Sequence, residues 1–220
     1  MGRLIVIDGL DGSGKQTQTD LLAKRLSGRN ICVKQITFPT YTESSALIQL
    51  YLSGQLGALE EVNVYAASTF YAVDRYASYC RDWKEHYAGD ALVLTDRYVT
   101  ANIIHQMGKL PKDRWEDYLS WVNDLEYVRF ELPKPDLVLY LELPIAVSCR
   151  LLEKRYEGDS SKKDLHERDS AYLRTCHETA AFAADRLGWH VVHCGDGKDG
   201  IRPPDEIADE IEALVTQRFF

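Results

Sequence analysis

The chain has 220 residues, with 34 acidic against 26 basic side chains and a formal net charge of −8. That length suits a single α/β domain, expected to span 1–220, with a substantial buried core. The acidic balance argues against general nucleic-acid binding and against attachment to an anionic membrane, yet it leaves a locally basic phosphate site open.

Leu4-Ile5-Val6-Ile7 reads as a short buried strand, too brief an apolar run for a secretory leader. Gly9-Leu10-Asp11-Gly12-Ser13-Gly14-Lys15-Gln16-Thr17 follows, and a helix is expected from Lys15, where Leu21, Leu22 and Leu26 recur at helical spacing. Glycines at 9, 12 and 14 let backbone N–H groups turn inward as a cradle for phosphate oxygens. The helix N-terminus behind them favours negative charge, and Lys15 adds a full positive one. Strand, glycine turn, lysine and helix in this order predict a nucleoside triphosphate site. The usual pattern, G-x-x-x-x-G-K-[ST], places a Mg²⁺-binding hydroxyl directly after the lysine. Here Gln16 holds that place and the hydroxyl comes at Thr17, which alters metal ligation but not the cradle.

Further strand-like runs lie at 31–38, 91–94, 137–143 and 190–194. Amphipathic stretches lie near 15–28, 43–53, 60–87, 98–108, 113–130, 144–155, 167–187 and 205–218. Strands alternating with helices predict right-handed crossovers and a parallel sheet covered on both faces. Within the 60–87 stretch, Tyr71 and Arg75 share one helix face and could meet a nucleobase, although rings in so aromatic a helix also suit a core. Asp96-Arg97-Tyr98 closes the third strand, at the carboxyl edge where open parallel sheets bind ligands. Asp96 there could orient Mg²⁺ and Arg97 could grip a phosphate; a plain surface ion pair is the alternative. After the fourth strand come Arg150, Lys154 and Arg155, then the charged, small-residue run 157–164, which reads as a surface loop or a lid. Arg150 and Arg155 are the phosphate-clamp candidates. Five cysteines, at 32, 80, 149, 176 and 194, form no C-x-x-C pair, as suits reduced thiols in a cytoplasmic protein. No stretch is long enough to cross a membrane.

Asp8-Gly9-Leu10-Asp11-Gly12-Ser13-Gly14-Lys15, Phe38-Pro39, Asp74-Arg75, Asp96-Arg97-Tyr98, Leu132-Pro133-Lys134-Pro135-Asp136 and the Arg150–Arg155 pair run in order along nearly the whole chain. Together they resemble the thymidylate kinases of the P-loop nucleoside monophosphate kinase group. The resemblance implies a P-loop kinase fold, three layers α/β/α around a five-stranded parallel sheet, with a short lid near 156–165. It implies transfer of the ATP γ-phosphoryl group to dTMP, giving dTDP and ADP, with Mg²⁺, in a cytoplasmic homodimer that binds neither nucleic acid nor membrane. Carried over by position, ATP falls to Gly9, Asp11, Gly12, Ser13, Gly14, Lys15, Gln16, Thr17 and Arg150. The acceptor falls to Asp11, Tyr71, Arg75, Arg97 and Asn102, the metal to Asp11 and Asp96, and catalysis to Lys15, Arg97 and Arg155. Thr40 stands where many members have an Arg, Ala101 where a Ser is common, and His105 where a Tyr often lies near the sugar, so a kinase of another monophosphate remains open. A GTPase-like switch is disfavoured, because the nearest match to its guanine-reading element, Ser161-Lys162-Lys163-Asp164, lacks the Asn. A nucleotide-binding scaffold without catalysis is the third reading.

Overall fold

Each strand of the sheet leaves its carboxyl end on the same edge, and that edge carries the chemistry. The structure is a computed structural model and describes residues 2–58, 61–155, 170–198 and 200–220. Five strands, β1 (Arg3–Gly9), β2 (Val33–Thr37), β3 (Leu92–Asp96), β4 (Leu137–Glu142) and β5 (His190–His193), pair in parallel in the order β2-β3-β1-β4-β5. Alternate residues of β1 face opposite ways. Leu4 and Val6 belong to one apolar cluster, Ile5 and Ile7 to the other.

The first cluster lies beneath α3 (Val64–Ser78), α5 (Val99–His105), α6 (Trp115–Asn123) and α8 (Ser170–Leu187), which contribute Val64, Ile103, Tyr118 and Ala180. The second lies beneath α1 (Lys15–Ser27), α7 (Ile145–Arg155) and α9 (Pro204–Phe219), which contribute Leu22, Leu26, Val147, Ile207 and Ile211. The expected three layers and five parallel strands are therefore present. The inner strands β1, β3 and β4 are covered on both faces and read as largely aliphatic runs, whereas the edge strands expose Gln35 and Thr37 on β2 and His190 and His193 on β5.

β1 sits at the centre, flanked by β3 on one side and β4 on the other. The chain thus reverses its direction of strand addition at the β1/β3 seam, which is where open α/β sheets leave a ligand crevice. Register brings Ile7 opposite Asp96, so the glycine turn after β1 and the Arg97 turn after β3 emerge side by side. Two amphipathic stretches that look continuous in sequence are interrupted. The stretch at 60–87 becomes α3, a π-helical segment Tyr79–Trp83 and α4 (Lys84–Ala88). The stretch at 113–130 becomes α6 followed by a π-helical segment Asp124–Arg129. Between β2 and α3 lies the short α2 (Ala46–Leu52). The expected lid near 156–165 lies outside the described residues.

Candidate active site

The glycine turn is shaped by what its backbone must avoid. A Cβ on Gly9 would stand 2.6 Å from Ser13 Oγ and 2.7 Å from Leu141 O, closer than real Cβ contacts allow, so only glycine fits. Gly12 and Gly14 have φ of 84° and 86°, the left-handed region that glycine enters without strain. Gly14 is the N-cap of α1, whose first turn holds no acidic residue, so no side chain of that turn neutralises the helix's positive end. Lys15 is nearly buried; its Nζ donates to Leu10 O at 3.0 Å and lies 3.5 Å from Asp11 Oδ1. Gln16 and Thr17 are exposed, and Gln16 Nε2 donates to Asp20 Oδ1 at 3.1 Å.

Arg97 follows β3 with φ 65°, a conformation that costs a non-glycine residue about 1–3 kcal/mol and tends to mark functional positions. Its N–H donates to Ile7 O, and Thr95 Oγ1 donates to Arg97 O, which fixes the turn against β1. The guanidinium then points back at the glycine turn and ion-pairs with Asp11 Oδ1 through Nη2. One carboxylate oxygen therefore joins Arg97 to Lys15. Burial alone would raise Asp11's pKa, but the guanidinium and the ammonium beside it outweigh burial and hold the carboxyl well below the usual range. For Arg97, burial would favour deprotonation, and Asp11, Asp8 and Asp96 more than reverse it. Asp96 differs: burial dominates, Lys15 and Arg97 only partly offset it, and its pKa is raised. Asp96 Oδ1 is buried without a hydrogen-bond partner among the described residues.

Two hollows open on either side of this junction. One is lined by Gly12, Gly14, Lys15, Gln16, Thr17, Thr40 and Asp96. The other encloses about 540 Å³, its open mouth included, among Leu52, Tyr71, Arg75, Ala101, Asn102, His105 and Gln106. Asp11, Phe38, Pro39, Tyr41 and Arg97 line both.

The second hollow rests on a buried ion pair. Arg75, 1 % exposed, donates from Nε and Nη2 to the two oxygens of Glu126 at 2.6 Å each, and from Nη1 to Tyr98 O at 3.3 Å. Burial would lower the Arg75 pKa; Glu126 more than compensates and raises it. Glu126 Oε1 also accepts from Asn102 Nδ2 at 3.1 Å. Tyr71 meets the Tyr51 ring edge-on at 6.3 Å. His105 Nδ1 lies 3.4 Å from Tyr172 OH, which ties that wall to α8. On the loop after β2, Thr40 donates from both N and Oγ1 to Asp74, at 2.8 and 2.6 Å, and Ser44 Oγ donates to the same carboxylate.

The residues singled out from the sequence therefore meet at one place, with two exceptions. Arg150 is exposed on α7 and is not among the residues lining either hollow, although its neighbour Leu151 lines the first. The side chain of Arg155 lies outside the described residues. Sequence reasoning missed Tyr41 and Glu126. Tyr41 directly follows the Phe38-Pro39-Thr40 run, which was a usable signal. Glu126 carries none, since its partner Arg75 is 51 positions away.

A family model described as thymidylate kinase matches residues 7–199. A thymidylate kinase of Mycobacterium tuberculosis is 34% identical over 207 residues, covering 86% of this chain and 90% of that protein. A probable thymidylate kinase of Thermococcus gammatolerans is 32% identical over 159 residues, covering 70% and 72%. The structure of a thymidylate kinase from Candida albicans superposes with a TM-score of 0.70 at 21% identity, covering 98% of this chain and 92% of the other, a likeness of fold.

Proposed function

The chain belongs to the thymidylate kinase family and transfers the γ-phosphoryl group of ATP to dTMP, and from that premise we propose how its residues divide the work. ATP phosphates lie in the cradle of Gly9, Asp11, Gly12, Ser13, Gly14, Lys15, Gln16 and Thr17. The dTMP base enters the hollow walled by Tyr71, Arg75 and Asn102, with its phosphate toward Arg97. One observation carries this reading: the two hollows adjoin at Asp11 and Arg97, and Lys15 reaches the same Asp11 oxygen.

The acceptor phosphate is already ionised near neutral pH, so no general base is required. The obstacle is repulsion between two polyanions. Arg97 and Lys15 answer it by holding oxygens of both nucleotides, with phosphate taking over the place that the Asp11 carboxylate occupies between them. Arginine suits the junction because its planar fork holds two oxygens at once. Arg150 and Arg155, with the segment near 156–165, are proposed as a lid that closes over the phosphates and excludes water.

The donor set fits Mg²⁺. Asp96 offers a buried oxygen without a partner and Asp11 stands beside it electrostatically. No group of three or more metal-ligating side chains gathers among the described residues, which suits an ion held by one or two carboxylates and substrate phosphates. Asp11 and Asp96 would hold it; when bound it supplies neutralising charge on the phosphates. Gln16, whose amide is engaged with Asp20, offers no hydroxyl ligand.

We further propose that 1–220 acts as one domain in a cytoplasmic homodimer. Five free thiols support the compartment, and exposed apolar side chains support the dimer: Val73 and Tyr76 on α3, and Val128 near Phe130, whose ring meets Tyr76. No described helix is long and apolar enough to cross a membrane. The test is an ADP-release assay over dTMP, dUMP, UMP, CMP and AMP, with light scattering for the dimer. Fastest turnover with dTMP is expected. Preference for another acceptor would contradict the placement of the base, and ATP turnover indifferent to every monophosphate would contradict the two-nucleotide site.

A further inference from the structure

Asn102 spends both hydrogens of its amide inside the protein. Nδ2 lies 3.1 Å from Glu126 Oε1 and 3.1 Å from Ser68 O, a carboxylate and a backbone carbonyl that only accept. The amide's orientation is therefore fixed by chemistry, and what Asn102 offers the hollow it lines is its oxygen, an acceptor. Arg75 is committed in the complementary sense. Nε, Nη1 and Nη2 each donate one N–H within the protein, and the hydrogens left over are again donors. The wall thus presents an acceptor beside a donor. Both assignments converge on Glu126, which is 0 % exposed and absent from the hollow's lining.

Resting on the placement of the dTMP base against Arg75 and Asn102, we infer that Glu126 is a positioning residue that sets the hydrogen-bond polarity of the acceptor hollow, so that it takes a 4-oxo, 3-NH pyrimidine and refuses a 4-amino one. A thymine or uracil edge brings O4 to the Arg75 donor and N3–H to the Asn102 oxygen. Cytosine brings N4–H₂ and an unprotonated N3, wrong at both points. Guanine carries the same edge as thymine, so polarity alone separates oxo from amino bases, not pyrimidines from purines.

A carboxylate is required for this because it holds acceptors only. Its two oxygens serve three N–H groups, from Arg75 twice and Asn102 once. A glutamine would set an NH₂ group against one of them. Where that NH₂ faces Asn102, turning the Asn102 amide over relieves the clash and puts a donor in the hollow, while setting the Asn102 oxygen against Ser68 O. The π-helical segment Asp124–Arg129 brings Glu126 to this point from beyond the end of α6.

The experiment compares kcat/KM for dTMP, 3-methyl-dTMP and dCMP in the wild type, Glu126→Gln and Glu126→Asp, with thermal melts of each. The wild type is expected to favour dTMP over both analogues by about 100-fold or more, as sites built to hydrogen-bond a substrate do. Glu126→Gln is expected to cut the dTMP:dCMP ratio about tenfold or more, chiefly through KM. Glu126→Asp keeps Arg75's charge partnered, which protects the fold, but withdraws the carboxylate from Asn102. Its ratio is expected to fall about threefold to tenfold, between the other two. A role in folding alone would depress turnover of dTMP and dCMP together and leave the ratio standing. An unchanged ratio in folded Glu126→Gln, or in Glu126→Asp should the glutamine variant not fold, overturns the inference while sparing the base placement. Equal use of dTMP and dCMP by the wild type overturns the placement and the inference with it.

Discussion

The two hollows solve opposite problems with opposite materials. The phosphate cradle is local: nine consecutive residues, shaped by positive-φ glycines and a helix end, hold a generic anion mostly through backbone. The acceptor hollow is assembled from seven separate places in the chain, the glycine turn, the loop after β2, the end of α2, α3, the turn after β3, α5 with Gln106 and, behind them, the 124–129 segment. It rests on a buried ion pair whose carboxylate accepts three N–H groups. Backbone recognition tolerates a change such as Gln16 because side-chain identity matters little there. A buried charge network does not, since removing one partner leaves the other uncompensated in a low-dielectric interior. Phosphate affinity is thus cheap in sequence, whereas base selectivity is bound up with stability.

That contrast breaks most readily at Glu126. Glu126→Ala strands Arg75 and is expected to cost about 3–5 kcal/mol of stability, read by urea denaturation. A variant as stable as the wild type would mean that the acceptor side is not held by buried charge. Next comes the junction. Arg97→Ala is expected to lower kcat by about 10²–10³, some 2.7–4 kcal/mol, while remaining folded. Near-normal turnover would remove Arg97 from the bridging role.

The smallest effect concerns pH and sharpens the phosphate side. Burial raises the pKa of Asp96 in the folded protein, so its charge costs stability. The cost is absent below the unfolded pKa and grows as pH rises through the window up to the raised folded value. Asp96→Asn is therefore expected, without Mg²⁺ or nucleotide, to melt above the wild type at pH 7, the advantage fading as pH falls into the ordinary carboxylate range. Asp11 has the opposite sign: its lowered pKa contributes stability present above the ordinary carboxylate pKa and lost on strong acidification. An Asp96→Asn protein melting below the wild type at pH 7 would show the carboxylate to be paired rather than merely desolvated.

The same contrast governs what could be read from the sequence. The three inner strands β1, β3 and β4 were legible as aliphatic runs because both their faces are buried, and the edge strands β2 and β5 showed only as shorter apolar stretches broken by polar residues. The glycine turn was legible because its geometry is local, and Asp96-Arg97 because register alone carries β3's end to β1's. Tyr71 and Arg75 were visible as a helical pair, but not what holds them. Helical periodicity fails at the two π-helical segments, where an extra residue per turn shifts the face, and Glu126 sits in one of them. The 31–38 run pairs only from Val33, so its first two residues belong to the connection from α1. Arg150 was legible as a phosphate-clamp candidate from its charge and place in the chain; it is exposed on α7 beside Leu151, which lines the phosphate hollow.

The central claim is that Arg97 and Lys15 hold two nucleotides end to end. Calorimetric titration with adenosine and thymidine joined through their 5′ positions by a polyphosphate chain tests it most directly. The linked compound is expected to bind about 100-fold or more tightly than either ATP or dTMP, as linkage across two adjoining sites should, and to lose most of that gain in Arg97→Ala. Binding no tighter than ATP alone, with dTMP still able to bind beside it, would contradict the end-to-end arrangement.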